Sequence, residues 1–183
     1  MLLLAVCALI VLSPLLVGRW PAGLLMHPWR WPILVWASLL LQVVIMQVAA
    51  LHGIAPVLHI LTYVAAGTFL WLNRAMPGAL IVGVGALSNG VTIALNGGVL
   101  PARAGAVSAA GLDTGDEFAN SAVVADPVLP WLGDVFAWPE PLPLANTFSV
   151  GDVVIVVGVS VAAWVGTRRI GAPAPEAKDR QQA

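Results

Sequence analysis

No aspartate or glutamate occurs in this chain before Asp113, and only Arg19, Arg30, Arg74 and Arg103 carry charge up to that point. A stretch so poor in charge cannot present an ordinary aqueous surface, because soluble domains carry about 25% charged residues. Over all 183 residues, 9% are charged and 60% are hydrophobic. Mean hydropathy is +0.93. The same composition excludes intrinsic disorder, since disordered chains lack apolar side chains. A net charge of −1 leaves no basic footprint for nucleic acid. The single cysteine, Cys7, excludes an internal disulfide framework and any CxxC metal or redox motif. The class that remains is a membrane protein, with the lipid bilayer as its first partner.

A helix needs about 20 apolar residues to cross the hydrocarbon. Five stretches meet that expectation: Leu2–Val17, residues 32–51, residues 56–72, Ala79–Leu95 and residues 149–167. The reading is an all-α, polytopic membrane helix bundle with five transmembrane helices. Positive residues mark the cytoplasmic side. An outside N-terminus and inside C-terminus place Arg19, Arg30, Arg74 and the four C-terminal bases inside, and only Arg103 outside. Residues 1–170 then form one multi-pass domain of a cell membrane. Residues 171–183, which run through Pro173 and Pro175 into polar residues, read as a disordered cytoplasmic tail. The Trp-rich segment from Trp20 to Trp31 suits an interfacial anchor.

Residues 97–146 form a long external loop with six prolines, and seven of the nine acids lie between Asp113 and Asp152. The middle of the loop, residues 104–125, is small and polar. Its end, Leu129 to Phe136, is apolar and aromatic and is expected to fold back onto the outer membrane face. A loop of this length is unusual without a function and is a candidate contact for a membrane protein partner.

On the fourth stretch, Asn89, Thr92 and Asn96 share one helical face. Amides within a membrane helix are costly unless paired, so this face looks into the bundle. Ala86, Gly90, Ala94 and Gly98 repeat every four residues on an adjoining face, as do Gly158, Ala162 and Gly166 on the fifth stretch. These rows permit close backbone approach of the two helices. Ser149 and Asp152 form a Ser-x-x-Asp capping pattern at the start of the fifth stretch. Asp134 lies 18 residues before Asp152. Two carboxyl groups sharing a poorly solvated site push their pKa values apart, so one holds a proton while the other acts as base toward water. His52 and His59 flank a short outer turn, but their spacing fixes no ligand geometry. They read as polar interface residues, with no metal and no cofactor expected.

The layout resembles an uncharacterised family of small bacterial membrane proteins. The resemblance is carried by Asn89, by Asn96-Gly97-Gly98-Val99-Leu100-Pro101, by Leu132-Gly133-Asp134-Val135-Phe136 and by Asn146 through Asp152. It implies a fold and no particular activity. A local stretch also resembles lipoprotein signal peptidase (signal peptidase II). Gly85-Ala86-Leu87-Ser88-Asn89, Gly133-Asp134-Val135-Phe136 and Phe148-Ser149-Val150-Gly151-Asp152 carry it. That likeness implies catalytic roles for Asp134 and Asp152 and a site-lining role for Asn89. The chain departs from that pattern where Gly90-Val91 replaces an Asp-Arg pair, where Ser149 replaces an asparagine, and in the long segment before Asp134.

Two functions follow. One is a non-catalytic accessory subunit or assembly factor of a membrane complex, contacting its partner through residues 97–146. The alternative is a membrane aspartic hydrolase at the outer face. There Asp134 and Asp152 would be catalytic, and Asn89, Asn96 and Ser149 would bind substrate.

Overall fold

Prolines and caps, rather than hydropathy, set where the helices begin and end. The structure, a computed structural model, describes residues 2–48, 53–112 and 121–171. Helix α1 (Leu2–Leu12) gives way at Ser13-Pro14 to a 3-10 turn reaching Val17. A two-residue strand β1 (Arg19–Trp20) and a single-turn α2 (Ala22–Leu25) follow. Pro32 precedes α3 (Ile33–Gln47), and Pro56 occupies the first turn of α4 (Ala55–Leu72). A left-handed Gly78 opens α5 (Ala79–Leu95). Then come β2 (Leu100–Pro101), α6 (Ala104–Ala109), β3 (Ser121–Ala122), β4 (Asp134–Trp138) and β5 (Asn146–Ser149). Helix α7 (Val150–Trp164) and β6 (Arg168–Arg169) close the described chain.

This architecture corrects the expected fold. The protein is mixed α/β, with three small two-stranded sheets among the described residues, and not an all-α bundle of five membrane-spanning helices. Among the described residues one helix, α4, is long and apolar enough to cross a membrane. Helix α5 matches its run of 17 residues and is itself short for a crossing. The first, second and fifth runs are longer than the α-helices they contain, where a proline removes a backbone donor or a cap redirects the chain. The run at 149–167, for example, yields a helix of 15 residues that starts only after the Ser149 cap. The topology drawn from five crossings loses its basis with them.

The described parts of the segment expected as an external loop, residues 97–112 and 121–146, are folded. They contain α6, β2, β3 and β4, which build a small head on the helices. Strands β2 and β3 pair in parallel, and Ala102 bridges to Asp134. Strands β4 and β5 pair antiparallel, with Phe136 opposite Phe148 and their rings stacked at 5.2 Å. Asp113, Asp116, Glu117 and His52 lie outside the described residues, as does the expected disordered tail from residue 172 onward.

Helices α5 and α7 pack most closely, and glycines make this possible. A Cβ on Gly85 would sit 2.5 Å from the Gly151 carbonyl oxygen, and one on Gly158 would sit 2.6 Å from the Val82 nitrogen. The expected row on α5 faces elsewhere, however: Gly90 packs against the Tyr63 ring of α4, and Gly98 against Pro56. On α7 the expected Gly158 and Ala162 do meet α5, at Val82 and Gly78.

The helical layer buries polar side chains among apolar ones such as Ile45, Met76, Ala79 and Ile93, and carries further apolar side chains outside. Ser38, His59, Thr62, Asn73, Asn89 and Thr92 are buried. The exposed side chains include Val57, Leu61, Val64 and Trp71 on α4 and Leu80, Val84, Leu87, Val91 and Leu95 on α5. These recur at helical spacing as outward stripes, the reverse of the usual amphipathic pattern of a soluble helix.

Candidate functional site

The junction between helices and head is built by one register. Pairing of β4 with β5 puts Asp134 opposite Ser149, the residue that caps α7. The Ser149 hydroxyl accepts from the Asp152 backbone N–H at 3.0 Å, and the Asp152 carboxylate accepts from the Ser149 N–H at 3.0 Å. This reciprocal capping box satisfies two donors that a helix start otherwise leaves orphaned. Asn89, on α5, ties the box to the neighbouring helix. Its amide donates to Asp152 Oδ1 at 2.9 Å, and its carbonyl oxygen accepts from the Ser149 hydroxyl at 2.9 Å. Gly151 lies against this amide, and any Cβ there would collide with Asn89 Oδ1.

Asp134 sits beside the network, 5% exposed. Its Oδ2 accepts from the Thr147 hydroxyl at 3.1 Å, while Oδ1 makes no full hydrogen bond among the described residues. Burial pushes its pKa up to about 6 from the ordinary 3.8, and the negative charge of Asp152 adds to the rise. The hydroxyls of Ser121 and Thr147 oppose it. Ser121 Oγ faces the carboxyl but falls short of bond geometry.

Three of the residues singled out from sequence, Asn89, Ser149 and Asp152, thus meet in one hydrogen-bonded network, with Asp134 next to it. Asn96 does not join them. It clamps the backbone of Val128 from both sides, donating to its carbonyl at 2.9 Å and accepting from its N–H at 2.8 Å. Asn73 repeats the device at the end of α4, gripping the backbone of Arg30 at 2.8 and 2.9 Å. His59 is buried in α4, where its Nδ1 bonds the Gly98 carbonyl at 2.7 Å. That carbonyl can only accept, so Nδ1 carries the proton.

Sequence reasoning missed Thr147 and Asn73. Thr147 had a readable signal: strand side chains alternate, so a residue two before Ser149 shares its face. Asn73, just after the last apolar residue of α4, had a weaker one, because asparagine is common at helix ends.

The fold and junction define a class: a helical layer with polar side chains among its buried residues, locked to a small α/β head through an Asn–Ser–Asp network. The chain belongs to a family of unknown function (DUF5317), which it matches over residues 27–164. It is also similar to an uncharacterized protein of Thermotoga maritima, with 33% identity over 95 residues. That match covers 51% of this chain and 54% of the relative, so the chain spans about half the length of the curated relative it matches. No solved structure matches. These findings agree with the first of the two resemblances seen in the sequence and give no support to kinship with signal peptidase II.

Proposed function

We propose that the protein is a non-catalytic accessory subunit or assembly factor of a complex in the bacterial cell membrane. Its apolar helices hold it in lipid and its head receives a segment of a membrane protein partner. The observation that carries this reading is an open cleft of about 570 Å³ in the head, lined in part by Pro101, Ala102, Arg103, Val123, Pro127 and Trp131. The volume falls in the range of small-molecule and peptide side-chain sites, roughly 300–1,000 Å³. Trp131 is 63% exposed, and an accessible tryptophan beside rigid prolines is a typical anchor for a partner. Arg103 is exposed at the rim, so the best fit is an extended apolar segment carrying one acidic group.

A photo-crosslinking residue at Val123 tests this in cells, with the same residue at the exposed Leu61 of α4 as control. A discrete protein adduct from Val123, reduced at least about tenfold by Trp131→Ala, is the expected result. Adducts that are absent, or that match the control, would remove the partner reading.

One observation favours a hydrolase instead: a carboxyl group with a pKa near 6 beside a second carboxylate is the pairing an aspartic hydrolase uses. Burial of Asp134 and the engagement of both Asp152 oxygens weigh against it. Under the hydrolase reading, Asp134→Asn and Asp152→Asn each abolish cleavage of a membrane substrate while leaving the fold intact. Unchanged processing in both variants would eliminate it.

A further inference from the structure

At the other end of the helices, α1 packs on α7 and α3 packs on α4. The space left between α1 and α3 is a groove of about 640 Å³. Cys7 and Ala8 of α1, Val35 of α3, Ala66 and Phe69 of α4 and Val82 of α5 are among its lining residues. No charged side chain lines it. Trp29 closes one end, with its ring stacked on Phe69 at 5.5 Å. The Trp29 indole N–H is already used, donating to the Leu24 carbonyl at 3.2 Å. Such a groove offers nothing to a polar ligand and accepts a flexible hydrocarbon.

The closed end is basic. Arg30 follows Trp29, and the Asn73 clamp on its backbone brings it next to Arg74. Arg19, Arg168 and Arg169 gather at the same end of the helices through the β1–β6 pairing. The carboxylates of the described residues lie elsewhere: Asp126, Asp134 and Glu140 in the head, and Asp152 at its junction with α7. These arginines therefore have no acidic partner among the described residues. Basic sites beside membrane helices select anionic headgroups.

We infer that the groove between α1 and α3 holds an acyl chain of an anionic phospholipid whose headgroup meets Arg30 and Arg74. The inference rests on the membrane reading above and is independent of the head cleft. Arg74 donates to the Trp71 carbonyl at 2.9 Å and lies over the Trp71 ring, which orients it but supplies no negative charge. An apolar chain without an anionic group would leave both arginines without an acidic partner, and a soluble anion would leave the groove unfilled.

The test is native mass spectrometry of the full chain in mild detergent, with palmitoyl-oleoyl phosphatidylglycerol or phosphatidylcholine added at equal concentration. Phosphatidylglycerol should be retained about tenfold more strongly. Arg30→Gln and Arg74→Gln should each lower that retention about fivefold and leave phosphatidylcholine unchanged. Ala66→Trp, which fills the groove floor, should lose both lipids. Ala8→Trp fills the groove from an exposed position on α1 and should do the same without touching the core. Equal retention of the two lipids, or undiminished binding by Ala8→Trp, would overturn the inference. Release of the chain from membranes by alkaline carbonate alone would overturn the membrane reading and this inference together. A chain that resists carbonate but shows no lipid preference overturns the inference alone.

Discussion

A carboxyl group as buried as Asp134 gives up its proton only near pH 6. Folding raises its pKa above the unfolded value, so the folded chain binds this proton more tightly. Its contribution to stability is fully present below about pH 3.8 and is lost as pH rises through about 6. Denaturation in detergent should therefore show a loss of up to roughly 3 kcal/mol across that window. Asp134→Asn should flatten this part of the profile; an unchanged profile would mean that another group titrates there. Asn89 holds a different kind of responsibility. Replacing it with alanine leaves the buried Ser149 hydroxyl and one Asp152 oxygen without their partner, at a cost of about 1–3 kcal/mol. Asp152→Asn keeps most of the shape and should cost about 1 kcal/mol, the value of a cap and its charge at a helix start. Thermal unfolding of the two variants separates these magnitudes.

The helices owe their spacing to where glycine is placed. Gly158 lies under Gly78 and Val82 with no room for a Cβ, so Gly158→Leu must push α5 and α7 apart. The expected cost is about 3 kcal/mol or more, read as a lower unfolding midpoint in detergent. Gly90 faces the Tyr63 ring, where a Cβ would lie 3.0 Å from Cδ1. Gly90→Ala therefore asks only for a small ring movement and should cost clearly less than Gly151→Ala, whose Cβ collides with Asn89. A larger loss at Gly90 than at Gly151 would show that α4 and α5, not α5 and α7, form the tighter contact. Glycine rows were visible in the sequence, but both adjoining faces of α5 carry small residues. Which row meets which helix depends on the rotation of α5 about its axis. The Asn89 bridge to α7 holds that rotation.

Apolar stripes turned outward at helical spacing mark a surface for lipid or for another protein. In cells the chain should fractionate with membranes and resist extraction by salt and alkali. Recovery in the soluble fraction would contradict the outward stripes as a lipid-facing surface. The acids Asp126 and Glu140 of the head are exposed. The two regions meet at Asp134, Ser149 and Asp152, so a disturbance of the capping network should be felt by both. Hydrogen exchange of the Asn89→Ala variant should show faster exchange in β4 and β5 as well as at the start of α7.

Much of this was legible along the chain, because some physical signals are local. Hydropathy located the apolar helices, Ser149 and Asp152 announced a helix start three residues apart, and Asn89 stood out as an amide that had to find a partner. The bounds of α4 and α5 were legible to within a residue, whereas α1, α3 and α7 are cut inside longer apolar runs by proline and capping geometry. The folding of residues 97–146 was hidden for another reason. Its strands are two to five residues long, and they exist only through pairing with one another and with β5. The burial of Asp134 depends in the same way on Ser121 of β3 and on Thr147 and Ser149 of β5 arriving from two other places in the chain. Local chemistry names the groups that need partners, whereas the pairing of strands and the rotation of helices choose those partners, because each is settled by packing over the whole molecule.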